Sequence, residues 1–480
     1  MKPKKTETKD GLLAMIRNGQ QMTLRQQLLL TAQLSIPAIL AELSSIVMQY
    51  IDASMVGSLG ADDSASIGLV STTLWLFGGM CNAVATGFAV QVAHLIGAKQ
   101  SAEARSVLRQ SLVAALLFSL SLAIVGVAIS GYLPIWLGGN ERIVANASRY
   151  FLIFMLGMPL LMLDFLATGM LRCSGNMKVP SALNVLMCVL DVVFNFFFIF
   201  PSHHLHLLGQ DWVLPGMGMG VVGAAIGTIL AESVVCCLML WYLVTRSNEL
   251  RLNQERGSFR PRAACVKRAW SIGFPMGIQH VVMCSAQIAI TAIVAPLGSV
   301  AIAANSFAIT AESLCYMPGY GISDAATTLV GQSMGAGRRY LMRRFAYITV
   351  TLGMVVMSVM GVLLYVAAPL MMGIMSPVAE VVELGAQCLR IEAFAEPLFA
   401  AAIVCYGVFV GAGDTLTPCW MNVGSKWAVR LTLAAVLVGS LGLAGVWVAM
   451  CVELCFRGTI FLIRLFSGRW MRRQKMVANA

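Results

Sequence analysis

Charge is what this chain has least of: Asp, Glu, Lys and Arg together make up 11% of its 480 residues. A soluble domain carries about 25%. With 58% hydrophobic residues and a mean hydropathy of +0.80, the chain lacks the polar side chains to cover a water-facing surface. A soluble enzyme or nucleic-acid-binding domain is excluded on that ground, so the net charge of +11 needs another explanation.

Other absences narrow the field. There is no Walker lysine motif and no HExxH, so an ATP-driven pump or a zinc hydrolase lacks its chemistry, and the chain reads as a non-enzyme. The thirteen cysteines include no CxxC and read as small buried hydrophobes, not disulfides or metal ligands. The histidine run at residues 203 to 206 has no carboxylate or cysteine companion and is set aside as a metal site. Strand-period alternation is missing, which excludes a porin-like barrel. No short apolar region precedes a small-residue cleavage site, so no signal peptide is read.

What is present is a series of apolar runs of the roughly 20 residues needed to cross a bilayer. Twelve are counted, centred near residues 46, 80, 120, 158, 190, 232, 282, 315, 357, 397, 428 and 454. Alternate connections differ sharply in charge: 27 Lys and Arg on one side, Arg172 and Lys178 sharing one of those connections, against only Arg142 and Arg149 on the other. This is the positive-inside pattern and places both termini in the cytoplasm.

The chain also matches itself. Pro37 with Pro275, Gly60 with Gly298, Gly97 with Gly335, Pro159 with Pro397, Gly175 with Gly413, Pro180 with Pro418 and Asn184 with Asn422 are each 238 residues apart. Late in each half the offset falls to 222, so the first half carries about sixteen extra residues, in an outside connection. The expected fold is an all-α integral membrane protein with twelve transmembrane helices in two pseudo-symmetric six-helix lobes. Parallel repeats of this kind are typical of secondary transporters, with a site between the halves. The expected organisation is a basic arm over 1–33 lying on the membrane surface, an N-lobe over 34–246, a cytoplasmic linker over 247–267, a C-lobe over 268–468 and a tail over 469–480.

Carboxylates inside the spans are the candidates for function, because a charge in a membrane helix is costly. The first half holds Glu42, Asp52, Asp164, Asp191 and Glu232, with no Lys or Arg in the middle of these helices. Asp191 and Asn195 are four apart and share a helix face, and Thr228 offers a further oxygen from the sixth helix. Asp52, Asp191, Asn195 and Thr228 are a hard-oxygen set suited to a small cation or a shared proton. At +238, Asp52, Asp191 and Asn195 become Ile290, Val429 and Leu433, so the cluster belongs to the first half alone. In the second half Glu392 and Glu396 stand one turn apart, as do Lys426 and Arg430. They either pair across helices or turn one or both acids toward a cationic substrate. Glu42 and Gln279 complete the candidate cavity residues.

Five stretches carry a family resemblance: "SIPAIL" with "IDASMVGSLG", "LRCSGNMKVP", "GVVGAAIGT", "VGQSMGAGRR" and "GVFVGAGDTLTP". In order and spacing the chain resembles the multidrug and toxic compound extrusion (MATE) transporters over roughly residues 30 to 465. The resemblance implies a V-shaped cavity and export of mostly cationic, amphipathic compounds in exchange for H+ or Na+. It implies no cofactor beyond that ion, a small organic substrate, surrounding lipid and no nucleic acid, with a monomer expected. The family's first-helix aspartate corresponds to Asp52, and its Asn/Asp pair on helix five appears here in exchanged order as Asp191 and Asn195, with Thr228 on helix six. A second branch's C-lobe carboxylates fall on Met283 and Phe399. The alternative is a flippase or exporter of anionic, lipid-linked cargo, for which Arg390, Lys426 and Arg430 would be the cargo partners.

Overall fold

Lipid offers backbone N–H and C=O groups no partner, so long apolar runs satisfy them internally as helices. In the computed structural model, which describes residues 8–207, 210–254 and 257–471, they do so almost throughout. The first half contains α1 (Lys9–Arg17), α2 (Leu24–Gly57), α3 (Ala61–Gly97), α4 (Ser101–Ile129), the short α5 (Leu133–Trp136), α6 (Glu141–Cys173), α7 (Lys178–Ile199) and α8 (Gly220–Thr245). The second contains α9 (Ala263–Val294), α10 (Ser299–Gly335), α11 (Arg339–Met375), α12 (Ala379–Ala393), α13 (Glu396–Gly411), α14 (Leu416–Gly424), α15 (Thr432–Leu441) and α16 (Leu443–Ser467).

Among the described residues ten helices are long and apolar enough to span a membrane. The other two spans are interrupted. α12 and α13 form one span bent by 61°, and α14 runs into α15 through a π-helical stretch, Ser425–Leu431, that carries Lys426 and Arg430. Pro397 sits in the first turn of α13, where its missing N–H costs nothing. Its repeat partner Pro159 lies inside α6 without breaking it.

The outside connection is not irregular. Pro201–Leu207 (β1) and Gln210–Met217 (β2) pair as an antiparallel hairpin. The bundle therefore has a hairpin face and, opposite it, a basic face carrying α1, the end of α16 and the linker.

Each half has its own core. Val70, Phe88, Phe151, Met162, Leu166 and Met239 lie in the first, and Ala308, Met357, Leu389 and Trp447 in the second. The joint between them repeats the sequence symmetry. A Cβ on Gly97 would sit 2.1 Å from the Gln332 carbonyl oxygen, and one on Gly335 only 1.9 Å from that of His94. His94 Nε2 donates to Gly411 O at 2.8 Å, and Gln332 Nε2 donates to Cys173 O at 2.9 Å. A shift of 238 maps His94 onto Gln332 and Cys173 onto Gly411, so these are one interaction made twice. All of it lies at the basic face, where α3 and α10 end.

The N-terminal arm differs from the expectation. Thr23 and Gln26 form a capping box, so α2 begins ten residues before position 34. α1 packs against the bundle itself. Its Leu12, Leu13 and Ile16 bury against Met177, Leu329, Leu341 and Phe345 of both halves. Arg17 pairs with Glu249 of the linker, and Arg338 donates to Gln20 O at 2.7 Å.

Candidate functional site

Three helices of the first half bring the acidic cluster together. Asp191 and Asn195, one turn apart on α7, are buried to 0% and 1% exposure, and α2 packs alongside with a half-buried Asp52. Asn195 Nδ2 bridges the two acids, donating to Asp52 Oδ1 at 3.0 Å and to Asp191 Oδ2 at 3.1 Å. α8 closes in from the third side because Gly223 and Gly227 lack side chains: a Cβ would stand 2.4 Å from Phe198 O and 2.2 Å from Asn195 Oδ1 respectively. Thr228, next in the chain, thereby lies beside Asp191. Asp191 Oδ1 and Asn195 Oδ1 make no hydrogen bond.

Among the described residues no Lys or Arg forms an ion pair with Asp52 or Asp191. Two carboxylates on one neutral donor repel each other, and a cation or proton between them relieves that repulsion. The site therefore has the chemistry to take up one positive charge, as a proton or as a small cation among free oxygens.

Gly227 tests this packing. Gly227→Val is expected to push Asn195 off its bridge and weaken ion binding tenfold or more, since overpacking a tight site costs about 1–3 kcal/mol. The check is ion-dependent substrate flux in vesicles; an unaltered ion dependence would contradict the geometry.

Glu42 stands elsewhere, and here the sequence reading needs correction. Arg172, counted with a connection, reaches back from the end of α6 and pairs with Asp324 of α10 and with Glu42 Oε1 at 3.5 Å. Thr328 Oγ1 also donates to Arg172 O at 3.0 Å. Glu42 thus belongs to an ion cluster that ties the halves together. The first-half acids are not without a cation after all.

The second-half charges form a third group. Glu392 and Glu396 flank the bend between α12 and α13 at 0% exposure, and none of their four carboxylate oxygens is hydrogen-bonded. Among the described residues neither forms an ion pair with Lys426 or Arg430; Glu312 of α10 is their acidic neighbour. Glu453 is the acid that finds partners, Ser425 Oγ at 2.5 Å and Arg457 Nε at 3.1 Å. Gln279 on α9 is half-buried beside Tyr406 of α13, its Oε1 without a hydrogen-bond partner. The His203, His204 and His206 side chains lie outside the described residues.

The letters Gly331-Gln332-Ser333-Met334-Gly335 spell a hydrolase GxSxG. A nucleophile elbow needs a strand-to-helix turn, whereas this stretch lies within α10 with Ser333 fully buried.

The MatE family profile matches twice, over residues 37–197 and 275–436, with starts one repeat length apart. The chain belongs to the MatE family. A probable multidrug resistance protein NorM from Thermotoga maritima is 25% identical over 443 residues, covering 92% of each chain. The multidrug resistance protein MdtK of Yersinia pestis is 25% identical over 456 residues, covering 92% of this chain and 95% of its own. Among solved structures, an outward-facing multidrug resistance MATE transporter superposes with a TM-score of 0.85 at 18% identity, covering 98% of this chain and 99% of its own. A MATE in a bent conformation gives 0.82 at 19% identity, covering 97% and 99%. These establish the fold: an all-α transporter with twelve membrane helices in two six-helix lobes.

Within this MATE-family frame, the C-lobe positions Met283 and Phe399 hold no acid. Phe399 instead lies edge-on to Tyr316, with ring centroids 5.5 Å apart, and under the Arg457 guanidinium at 5.4 Å. Two contributors to the N-lobe site were not read from the sequence. Tyr150 of α6 lies in electrostatic range of both Asp52 and Asp191, and only its place beside Arg149 at the outer end of an apolar run could have drawn notice. Gly227 was visible as part of "GVVGAAIGT", but not as the gap that admits Asn195.

Proposed function

We propose that this MATE-family transporter is a secondary active antiporter of the cytoplasmic membrane that exports amphipathic, mostly cationic organic compounds in exchange for protons or sodium ions. The observation that carries the reading is the Asp52–Asn195–Asp191 cluster, two acids on one amide with no basic partner among the described residues. Its occupant favours one arrangement of the lobes, and only such a difference in affinity moves the equilibrium between them.

The charge asymmetry of the connections supports a cytoplasmic basic face. Closure there by the paired His94 and Gln332 contacts corresponds to the outward-open state, in which substrate leaves and the ion enters. The multidrug names of the NorM and MdtK relatives support export of small molecules.

The anionic-cargo alternative finds less support. It needs basic residues facing the substrate, yet Arg430 is buried and Arg390 lies over the Tyr365 ring of α11.

Reconstituted vesicles with proton and sodium gradients imposed separately test the proposal. Efflux of a cationic dye against its own gradient is expected under at least one of them. Dye movement that ignores both would overturn it.

A further inference from the structure

The first half contains polar groups that neither the ion cluster nor the core explains. Glu232 lies on α8 one turn beyond Thr228, about 6 Å closer to the basic face, and in electrostatic range of both Asp191 and Asp164. α6 and α8 both run from the hairpin face to the basic face, held close where a Cβ on Gly157 would meet Ile229 Cδ1 at 2.4 Å. Asp164 is beside Cys236, one further turn down α8, and in range of Arg172. Below it on the same face of α6 come Thr168 and Arg172, at four-residue steps of about 6 Å.

Along this line single buried atoms are left over: among the described residues Asp191 Oδ1, Glu232 Oε2, Asp164 Oδ1, Thr168 Oγ1 and Arg172 Nε make no hydrogen bond. Helix glue would have paired them, because buried polar atoms left alone are costly. Acid chains aligned inside a membrane protein instead mark proton routes. Asp191 itself is fully buried, so a proton bound there needs a route to the cytoplasm.

We propose that the coupling proton leaves the Asp52–Asp191 site through Glu232 and Asp164 to the Glu42–Arg172–Asp324 cluster, where its arrival opens the joint between the lobes. This rests on the antiport reading above, taken with a proton as the coupling ion. Each carboxylate accepts the proton from the one before and gives it to the next, bridged by water at Thr168. At the end, Asp324 of α10 takes the proton and loses its negative charge. Arg172 then holds one acid fewer across the lobes, the basic face separates, and the proton passes to cytoplasmic water.

The experiment compares wild type, Glu232→Gln, Glu232→Asp and Asp164→Asn in vesicles. Two rates are read: net export driven by a proton gradient, and substrate-for-substrate exchange, which moves no net proton. Glu232→Gln and Asp164→Asn are expected to slow net export roughly a hundredfold, the lower end of what a positioned proton-transfer group contributes. Exchange should stay near wild type, and Glu232→Asp should recover much of the export. Net export unchanged in Glu232→Gln, or both rates lost together in folded protein, would overturn the proposal. A wild type driven by sodium alone would overturn it too. Failure of the antiport reading itself appears separately, as a wild type driven by neither gradient.

Discussion

Asp191→Asn is expected to abolish gradient-driven export while leaving the protein folded. The substitution keeps the shape of the side chain and removes one of the two negative charges that Asn195 bridges. With one acid left, the cluster no longer needs a cation, so an imposed gradient has nothing to act on. Coupling energies between sites run about 1–3 kcal/mol, equivalent to roughly 5- to 150-fold in affinity. Loss of the gradient's effect on dye efflux should fall in that range. Asp52→Asn should behave alike, because both acids share one donor. Stability should not fall, since removing a buried charge relieves desolvation. Dye efflux from cells expressing the variants at wild-type levels is the check, and unimpaired export from either would remove the cluster from the mechanism.

The second large effect concerns the joint at the basic face. Gly335→Val places a Cβ where only 1.9 Å separates it from the His94 carbonyl oxygen, a backbone atom that cannot swing aside. α3 and α10 must part. The His94–Gly411 and Gln332–Cys173 hydrogen bonds stretch with them, at about 1 kcal/mol each, on top of about 1–3 kcal/mol for overpacking. A penalty of about 3–5 kcal/mol shifts the two-state equilibrium roughly a hundred- to several-thousandfold away from the form with the basic face closed. Cys173 reports on it directly, being buried at the joint with its carbonyl holding Gln332. In a background where the other cysteines are replaced, Gly335→Val should make Cys173 react with a water-soluble thiol reagent applied to the basic face and should stop export. Unreactive Cys173 with normal export would show that the glycine contact does not set the state.

Much of this architecture was legible because repeat and hydropathy both act through backbone spacing. The offset that pairs Gly97 with Gly335 in sequence also brings them to equivalent contacts in space, since each sits where two helices cross too closely for a side chain. The breaks were not legible. Pro397 opens α13 just past the break, whereas Pro159, its repeat mate, is absorbed inside α6. The π-helical stretch at Lys426 and Arg430 inserts a register change that apolar content does not signal.

At the N-lobe site, Asp191 and Asn195 were readable from their four-residue spacing and Asp52 from being a charge in an apolar run. Their joining through one amide was not, because it depends on the depth at which α2 passes α7 and on the missing side chain of Gly227. Arg172 was misread for a simpler reason. It lies at the end of an apolar run, where an arginine ordinarily turns to water. Here the long side chain turns inward to Asp324 and Glu42, and no single-helix pattern announces partners on two other helices.

The central claim is that the Asp52–Asn195–Asp191 cluster takes up the ion that drives export. The most direct measurement is the ion flux that accompanies substrate movement in proteoliposomes, in wild type and in Asp191→Asn. A substrate gradient alone should drive protons or sodium ions in the opposite direction in the wild type, and no such ion movement should occur in the variant. Ion movement that persists in Asp191→Asn would contradict the account.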